Sequence, residues 1–448
     1  MEATRHDTTL WQDLRALSSQ YWILFGGTLV NRFGNFVMPF MAIYLRHEGE
    51  VGHAYYEKWQ IGLVLSTYGA GSLLAGVLGG YLTDRIGRRA TMILSCFGGG
   101  VLMLLLSQAR GMPALMSCIF MTALLTSLYG PASSAFIADI VPPRLRIRAF
   151  SCLRMAVNTG FAAGTAAAGF MMTYSFASLF IGDAVTTLAM GFAAWFGLKS
   201  IPRPPSLNNS WAHALGHMKA NRPFQLSVIA SFLVAFTFTQ ISSSYGLQAT
   251  EGLKKHRLEQ MAAVSLSPAP TAAETGVAAA STPKVAEVPS TSMEKGTVYG
   301  YLLSLNGLLV VFFELPLTSF TRRFSPPRMI AVGYALVGLG LGLNGFGATI
   351  PLLVASMFIL TIGEIMALPV SNSYLAGLAP DDMRGRYQGV ISMTWSSATL
   401  IGPSIGLAVY QISPLFLWIA VGVIGCLAGA IMLTIKWKAP APVVADRV

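Results

Sequence analysis

Apolar residues along this chain fall into twelve continuous runs that are separated by short polar segments. A helix that crosses the hydrocarbon core of a bilayer needs about 20 apolar residues, whereas a membrane β-strand alternates apolar and polar positions. The runs are continuous, so they predict an all-α membrane protein with twelve transmembrane helices. The predicted helices cover roughly residues 21–45, 59–83, 90–109, 113–139, 148–173, 176–198, 224–247, 296–320, 328–347, 350–378, 386–411 and 413–436.

Composition indicates that lipid is the surrounding solvent. Of the 448 residues, 54% are hydrophobic and only 11% are charged, and the mean hydropathy is +0.58. A soluble protein of this size would need more charged residues to cover its surface. The first twenty residues are polar and hold no short apolar core with a cleavage site, so the first helix is expected to direct insertion.

The net charge of +11 follows membrane topology and does not form a nucleic-acid-binding patch. Lys and Arg concentrate in alternate loops, and the short loops between them hold only Arg46, Lys58 and Arg110. Because basic short loops remain in the cytoplasm, both termini are predicted to be cytoplasmic. The compact loops favour a bacterial inner membrane. The cysteines and histidines show no metal-ligand spacing, so no metal site and no cofactor is expected.

The chain contains an internal repeat. A shift of 238 residues places Gly62 on Gly300 and Gly69 on Gly307, and five of the seven prolines in 59–210 land on another proline. Two halves in parallel orientation pack about an axis along the membrane normal, with a polar cavity between them. Such halves can rock against each other, which favours a solute carrier over an enzyme.

The repeat also predicts the domain boundaries. An insertion at 248–295 interrupts the second half, and its stretch from Ala262 to Ser292 lacks aromatic residues and is rich in Ala, Pro, Ser and Thr. Such a segment cannot bury a core, so we expect it to be disordered and external. The N-terminal half, the cytoplasmic linker, the C-terminal half and the cytoplasmic tail are predicted at 1–198, 199–223, 224–436 and 437–448.

The loop between the second and third predicted helices, residues 79–89, has the sequence GGYLTDRIGRR. This sequence resembles the signature of the major facilitator superfamily, in which a glycine, an Asp and a G-R-[RK] run occupy these spacings. The resemblance covers nearly the whole chain and points to the drug:proton antiporter branch. It implies the two-half fold of secondary transporters, with transport of a small molecule by alternating access.

The resemblance also implies a conformational latch formed by Gly80, Asp84, Arg88 and Asp139. In the family the Asp lies beside the N-terminus of helix eleven, where a carboxylate is stabilised. The glycines of helix two would allow that close approach, and the Arg pairs with an acid at the end of helix four, here Asp139. This latch would hold the outward-open state. The alternative is that the arginines only enforce topology.

Ionisable side chains inside the predicted helices are candidate functional groups, because a charge in the bilayer is costly. Glu364 lies near the middle of its run, where loss of water lets a carboxylate exchange a proton near neutral pH. Glu314 is a second proton candidate, and Arg32 could neutralise an acid or bind an anionic group. We predict these three as proton-coupling or substrate residues, with structural ion pairs as the alternative. Arg154 is interpreted as interfacial and Asp183 as structural.

Two further sets of residues are candidates of lower weight. Uncharged polar residues that could line the cavity are Asn31, Asn158, Gln240 and Asn306. Close helix packing is expected at Gly160, Gly164, Gly402, Pro403 and Gly406, because glycine permits close approach and proline bends a helix. Antiporters of the superfamily carry a Gly-rich motif with a proline in helix five, but Thr165 stands at that position here. The expected arginine of helix four and acid of helix one are also missing, which leaves the direction of transport open.

Three functions follow from these patterns. The first is a proton-coupled exporter of amphipathic or drug-like compounds. The second is a metabolite symporter or facilitator that uses Arg32 for an anionic solute. The third is a membrane sensor. The expected partners are a small molecule, protons and the lipid bilayer, and we expect the chain to function as a monomer.

Overall fold

The computed structural model describes residues 14–46, 56–142, 145–172, 174–200, 211–253, 293–321, 323–380 and 383–436. Across these ranges the regular structure is helical, with no strand. The first half contains α1 (Ser19–Phe33), α2 (Val37–Arg46), α3 (Lys58–Ile86), α4 (Arg88–Gln108), α5 (Met112–Thr126), α6 (Tyr129–Ile140), α7 (Arg146–Met171) and α8 (Phe176–Gly197). The remainder contains α9 (Trp211–Ala220), α10 (Arg222–Thr239), α11 (Met293–Thr321), α12 (Pro326–Gly342), α13 (Ile350–Gly377), α14 (Arg384–Ile412) and α15 (Pro414–Leu433).

Eight segments in the described ranges are long and apolar enough to cross a membrane. They are α4, α5 with α6, α8, α10 with its extension to Tyr245, most of α11, α12, α13 and α15. Helices α3, α7 and α14 have 29, 26 and 29 residues, which is ample length for a crossing. Helices α3 and α7 pack against α14 and α11 of the other half, and glycines lie at these contacts.

Repeat-related glycines hold the two halves together. Helix α3 runs antiparallel to α14, and α7 runs antiparallel to α11. A Cβ on Gly62 would lie 2.7 Å from the carbonyl oxygen of Pro403, and a Cβ on Gly69 would overlap the backbone of α14. On the symmetric side, a Cβ on Gly300 or Gly307 would lie 2.6 Å from atoms of α7. The halves therefore meet along two matching seams, and at these four glycine positions a methyl group would clash with the opposite helix.

These seams close one end of the bundle. We call the end with the α3–α4 turn at residues 86–88 the motif end, and the end with Arg46 and Lys58 the far end. Toward the far end, Ser66 Oγ lies 2.6 Å from Ser404 Oγ across the α3–α14 seam. Toward the motif end, a Cβ on Gly76 would have no atom within 4 Å. The close approach of α3 to α14 thus involves Gly62 and Gly69, whereas Gly76 and Gly79 have no atom of α14 among their nearest neighbours.

An ion cluster ties the two halves together at the far end. Glu251 lies beyond the apolar span of α10, and its carboxylate contacts Arg46 Nε at 2.6 Å and Lys58 Nζ at 3.0 Å. Burial by itself would raise the pKa of Glu251, but hydrogen bonds and the charges of Arg46 and Lys58 outweigh burial and hold its pKa below the usual value. A partly buried carboxylate with two cationic partners therefore fastens the N-terminal half to the C-terminal half.

The predicted boundaries of the insertion need a correction. Helix α10 continues through π-helical turns at Ile241–Tyr245 and Gln248–Gly252, so residues 248–253 are helical. The physical reason is anchoring, because Tyr410 Oη donates to Gln248 Oε1 at 2.7 Å and Glu251 is held by its cations. Residues 293–295 belong to α11. The remainder of the predicted insertion, 254–292, and the predicted tail at 437–448 lie outside the described residues.

The segment between the halves contains the short helix α9, which packs on the second half at the motif end. His217 Nδ1 lies 2.7 Å from Tyr387 Oη, and Asn221 Nδ2 donates to the carbonyl oxygen of Leu378 at 3.2 Å. The ring of Phe224 also contacts that of Tyr387, with centroids 4.3 Å apart. The predicted linker is therefore partly a docked helix.

Candidate functional site

A carboxylate lies at mid-depth in the C-terminal half. Glu364 is in the middle of α13, and its Oε2 accepts a hydrogen bond of 2.8 Å from Asn306 Nδ2 on α11. The same amide donates to Thr361 Oγ1, one turn before Glu364, at 2.9 Å. Two of the sequence candidates, Glu364 and Asn306, are thus in direct contact. The amide holds the carboxylate in one orientation without supplying a neutralising charge.

An ion pair between the halves lies beside this carboxylate. Arg154 Nη1 on α7 is 3.1 Å from Glu314 Oε1 on α11. Arg154, interpreted from the sequence as interfacial, thus has an acidic partner on α11. The charges of Arg154 and Glu314 both act on Glu364. The Glu364 carboxylate therefore lies in the electrostatic field of an ion pair that joins the two halves.

The N-terminal half contains a cavity of about 310 Å³, the volume of a small binding site. Its wall combines a cation, an acid, amides, hydroxyls and methionine side chains. It is lined by Asn31, Arg32, Asn35, Met38, Tyr68, Ser95, Cys96, Met103, Thr126, Ser127, Tyr129, Gly130, Asp183 and Thr187. Arg32 and Asn31 of the sequence candidates are thus brought together with Asp183, and not with Glu364.

The acid of this cavity is firmly held. Asp183 is only 4% exposed, and its carboxylate accepts from the Val37 backbone N–H at 3.4 Å and from Thr187 Oγ1 at 3.3 Å. Thr187 in turn accepts from Asn31 Nδ2 at 3.0 Å. Val37 is the first residue of α2, which begins after the break that ends α1 at Phe33. The positive N-terminal end of α2 thus faces the carboxylate of Asp183.

The internal repeat relates the two sites to each other. The shift of 238 residues places Tyr68 on Asn306 and Thr126 on Glu364, and both Tyr68 and Thr126 line the N-terminal cavity. The cavity is therefore the counterpart of the Glu364 site in the other half. The two sites differ in charge. In the N-terminal cavity, Thr126 stands at the position equivalent to Glu364, and Arg32 supplies a cation.

The motif loop forms an ion pair within the first half. Arg88 Nε lies 2.5 Å from Asp139 Oδ2 at the end of α6. The N–H bond does not point at that oxygen, so the contact is an ion pair more than a directed hydrogen bond. Gly87, at φ +94°, is the single residue between α3 and α4, a backbone conformation that glycine adopts readily. The side chains of the other predicted latch residues, Gly80 and Asp84, lie outside the described residues.

The predicted packing glycines contact the first helix of each half. A Cβ on Gly160 would lie 2.7 Å from the Leu29 carbonyl oxygen on α1, and a Cβ on Gly164 would overlap the Phe33 backbone. In the second half, Gly402 and Gly406 make the corresponding contacts with Thr239 and Gln240. Pro403 lies between these two glycines, inside α14.

The other two polar candidates lie at the end of α10 and on α7. Gln240 is fully buried, and its amide donates to the Gly402 carbonyl at 3.1 Å, so it joins α10 to α14. Asn158 lies partly buried on α7.

Sequence reasoning missed several residues of the N-terminal cavity. Asp183 was interpreted as structural, and Asn35, Tyr129 and Thr187 were not singled out. A spacing signal was present for one pair, because Asp183 and Thr187 stand four residues apart and so share a face of α8. Tyr129 gave no such signal, although its hydroxyl lies 2.9 Å from the Thr28 hydroxyl.

The fold and these sites define a membrane transport protein built from two related helical halves. The sequence profile of the Major Facilitator Superfamily matches residues 24–286 and again 288–447. The chain therefore belongs to the Major Facilitator Superfamily, and it is a multi-pass transporter of the bacterial plasma membrane and not an enzyme.

Individual relatives are distant. The MFS-type transporter YqjV of Bacillus subtilis is 24% identical over 88% of this chain and 87% of its own. A Na(+), Li(+), K(+)/H(+) antiporter of Planococcus maritimus is 24% identical over 82% and 84%. The quinolone resistance protein NorA of Staphylococcus aureus is 22% identical over 94% and 97%. A solved structure of the nucleoside transporter NupG has a TM-score of 0.71 at 15% identity, covering 94% of this chain and all of that one.

Proposed function

We propose that this transporter is a proton-coupled exporter of amphipathic, drug-like molecules in which Glu364 carries the proton. The observation behind this proposal is the mid-depth carboxylate of Glu364, oriented by Asn306 and adjacent to the Arg154–Glu314 ion pair that joins the halves. Two distant relatives support the proposal by what their names state, a cation/proton antiporter and a quinolone resistance protein.

The coupling step follows from electrostatics. With Glu364 ionised, two carboxylates share the field of one guanidinium, that of Arg154. A proton on Glu364 removes one of the two negative charges and lets Arg154 pair more tightly with Glu314. Because that pair spans α7 and α11, the proton changes the free energy of a contact between the halves. Glu314 then acts as the partner of the coupling cation.

We further infer twelve membrane crossings, with α1–α2, α3, α7 and α14 added to the eight apolar spans. The excess of Lys and Arg in alternate loops supports a cytoplasmic motif end. The structure, closed at the far end, then represents the inward-facing state. Arg88 and Asp139, with Gly80 and Asp84, form the latch that fastens the motif end in the opposite state, and a single chain suffices for transport.

Efflux from energised cells tests this proposal. Cells that express the wild type, Glu364→Gln or the control Glu57→Gln are loaded with a panel of lipophilic cations, among them tetraphenylphosphonium, and of lipophilic anions. Efflux of each compound is followed with and without a protonophore. Glu57 is an exposed acid at the far end. The control Glu57→Gln therefore removes one carboxylate and leaves the Glu364 site unchanged. We expect efflux in the wild type and in Glu57→Gln, and its loss with the protonophore or with Glu364→Gln.

Two outcomes contradict the proposal. Protonophore-sensitive efflux that persists in a well-expressed Glu364→Gln variant removes Glu364 as the coupling group. Absence of efflux from well-expressed wild type removes the export function and favours uptake of an anionic solute.

A further inference from the structure

The cavity of the N-terminal half contains a cation with unused hydrogen-bonding capacity. Arg32 lines the cavity, and its Nε is buried without a hydrogen-bond partner among the described residues. A buried polar group without a partner costs free energy, so its presence points to a ligand that completes the site. The guanidinium prefers carboxylate or phosphate oxygens, which it can bind through two parallel hydrogen bonds.

The nearby acid does not fill this role. Asp183 is satisfied by the Val37 and Phe36 backbone N–H groups and by the Thr187 hydroxyl. The N-terminus of α2 adds a positive partial charge at the same place. These hydrogen bonds and the charge of Arg32 together stabilise the carboxylate of Asp183. Arg32 remains the cation of the cavity wall whose Nε has no hydrogen-bond partner among the described residues.

The size and wall of the cavity define the class of ligand. A volume of about 310 Å³ corresponds to about ten water molecules at roughly 30 Å³ each. Around the polar groups, Met38, Met103 and the ring of Tyr68 supply an apolar wall. A simple inorganic anion would leave that wall without contacts, whereas a small amphipathic carboxylate would satisfy both parts.

We propose that this cavity binds the carboxylate-bearing part of the cargo, with the Arg32 guanidinium paired to the carboxylate. The proposal rests on the proposed export function and deepens it, because it assigns the cargo an acidic group. The repeat makes this cavity the counterpart of the Glu364 site, with Thr126 at the position equivalent to Glu364 and Arg32 as the cation in the cavity wall.

Ligand binding to the purified full-length chain in detergent tests this assignment without a proton gradient. The probe is sodium benzoate. Benzamide, its neutral isostere, and sodium chloride at equal concentration are the controls for shape and for sodium. The readouts are the thermal unfolding midpoint and the dissociation constant from calorimetry. The variants are Arg32→Gln, Arg32→Lys, Asp183→Asn and, as a matched control, Arg328→Gln at an exposed position of α12.

Arg32→Gln and Asp183→Asn are expected to change the affinity for benzoate in opposite directions. Benzoate, but not benzamide or sodium chloride, raises the unfolding midpoint of the wild type and of Arg328→Gln. Arg32→Gln weakens benzoate binding at least tenfold, which corresponds to about 1.4 kcal/mol, and Arg32→Lys retains part of the affinity because it keeps the charge. Asp183→Asn binds benzoate several-fold more tightly, because it removes a nearby negative charge. A purely structural role of Arg32 would not reverse the sign between these variants.

Three results overturn the assignment. They are equal stabilisation by benzamide, unchanged benzoate affinity in Arg32→Gln, and stabilisation by sodium chloride that disappears in Asp183→Asn, which would make the cavity a cation site. These failures are separate from failure of the export proposal. If benzoate does not bind but efflux still depends on Glu364, only the cargo assignment falls. If benzoate binds as expected without Glu364-dependent efflux, only proton-coupled export falls.

Discussion

Replacing Glu251 by Gln is expected to open the far end of the bundle. This carboxylate contacts Arg46 Nε at 2.6 Å and Lys58 Nζ at 3.0 Å, and the three side chains are 34%, 19% and 18% exposed. Hydrogen bonds to charged groups contribute about 1.5–3 kcal/mol when buried, whereas exposed ion pairs contribute about 0–1 kcal/mol. For this intermediate exposure we take about 1 kcal/mol per contact and about 2 kcal/mol for the cluster. That energy changes the ratio of far-end-closed to far-end-open molecules about thirtyfold.

The assay measures access to the seam behind the cluster. Ser66 is 6% exposed and contacts Ser404 across the two halves. A cysteine at position 66, in a chain whose four native cysteines are replaced, reacts with a charged maleimide only when the far end opens. We expect the labelling rate to rise about thirtyfold in Glu251→Gln. The control Glu57→Gln removes a far-end acid that is hydrogen-bonded to the neutral amide of Gln411. In this control the labelling rate should rise less than threefold.

The same cluster predicts how closure depends on pH. The pKa of Glu251 is held below its usual value of 4.5 in the folded protein. The contribution of Glu251 to closure of the far end is therefore fully present above pH 4.5. The contribution is lost as the pH falls through the lowered pKa. Maleimide reacts with the thiolate, so the labelling rate is divided by that of a free model thiol at the same pH. This ratio should be constant from pH 8 to pH 5 and rise at lower pH. A Glu251→Gln labelling rate within twofold of the parent's at neutral pH would refute this account of closure.

Two further substitutions test packing and the motif ion pair. Gly164→Ala should destabilise the protein by about 2 kcal/mol and lower its unfolding midpoint, because the new methyl group overlaps the Phe33 backbone. The control Gly216→Ala has open space around the new methyl group and should be neutral or stabilising. Equal midpoints for the two variants would contradict the tight α7–α1 contact. Arg88→Gln and Asp139→Asn should each lower the free energy of unfolding of the first half, with a coupling energy of about 1 kcal/mol in the double-mutant cycle. If the two losses of unfolding free energy add fully, the ion pair contributes nothing to stability.

Local patterns in the sequence were sufficient for the class of fold. The apolar runs have the length of a bilayer crossing, and the family profile confirms the transporter class. The repeat placed Gly62 with Gly300 and Gly69 with Gly307, and the structure puts all four glycines on the seams between the halves. Such features are readable because burial in lipid and close helix contact each restrict the residue types at a position.

The pairing of charges was decided by the tertiary structure. The sequence identified Glu364, Glu314 and Arg32 as candidates but left their partners open, and the structure pairs Glu314 with Arg154 and Glu364 with Asn306. Which side chains meet depends on the rotation of each helix and on how the halves tilt, and these follow from packing over the whole bundle and not from local spacing.

Tertiary structure also created the N-terminal cavity. Arg32 and Asp183 are about 150 positions apart in the chain, so their common site exists only because α1 breaks before α2 and packs against α8. The sequence by itself determined that this chain lies in a membrane as two repeated halves, since hydropathy and glycine positions are local properties. The folded bundle alone decided that Arg32 lies with Asp183 in one half and Glu364 with Asn306 in the other, because the distribution of charge in space depends on long-range contacts.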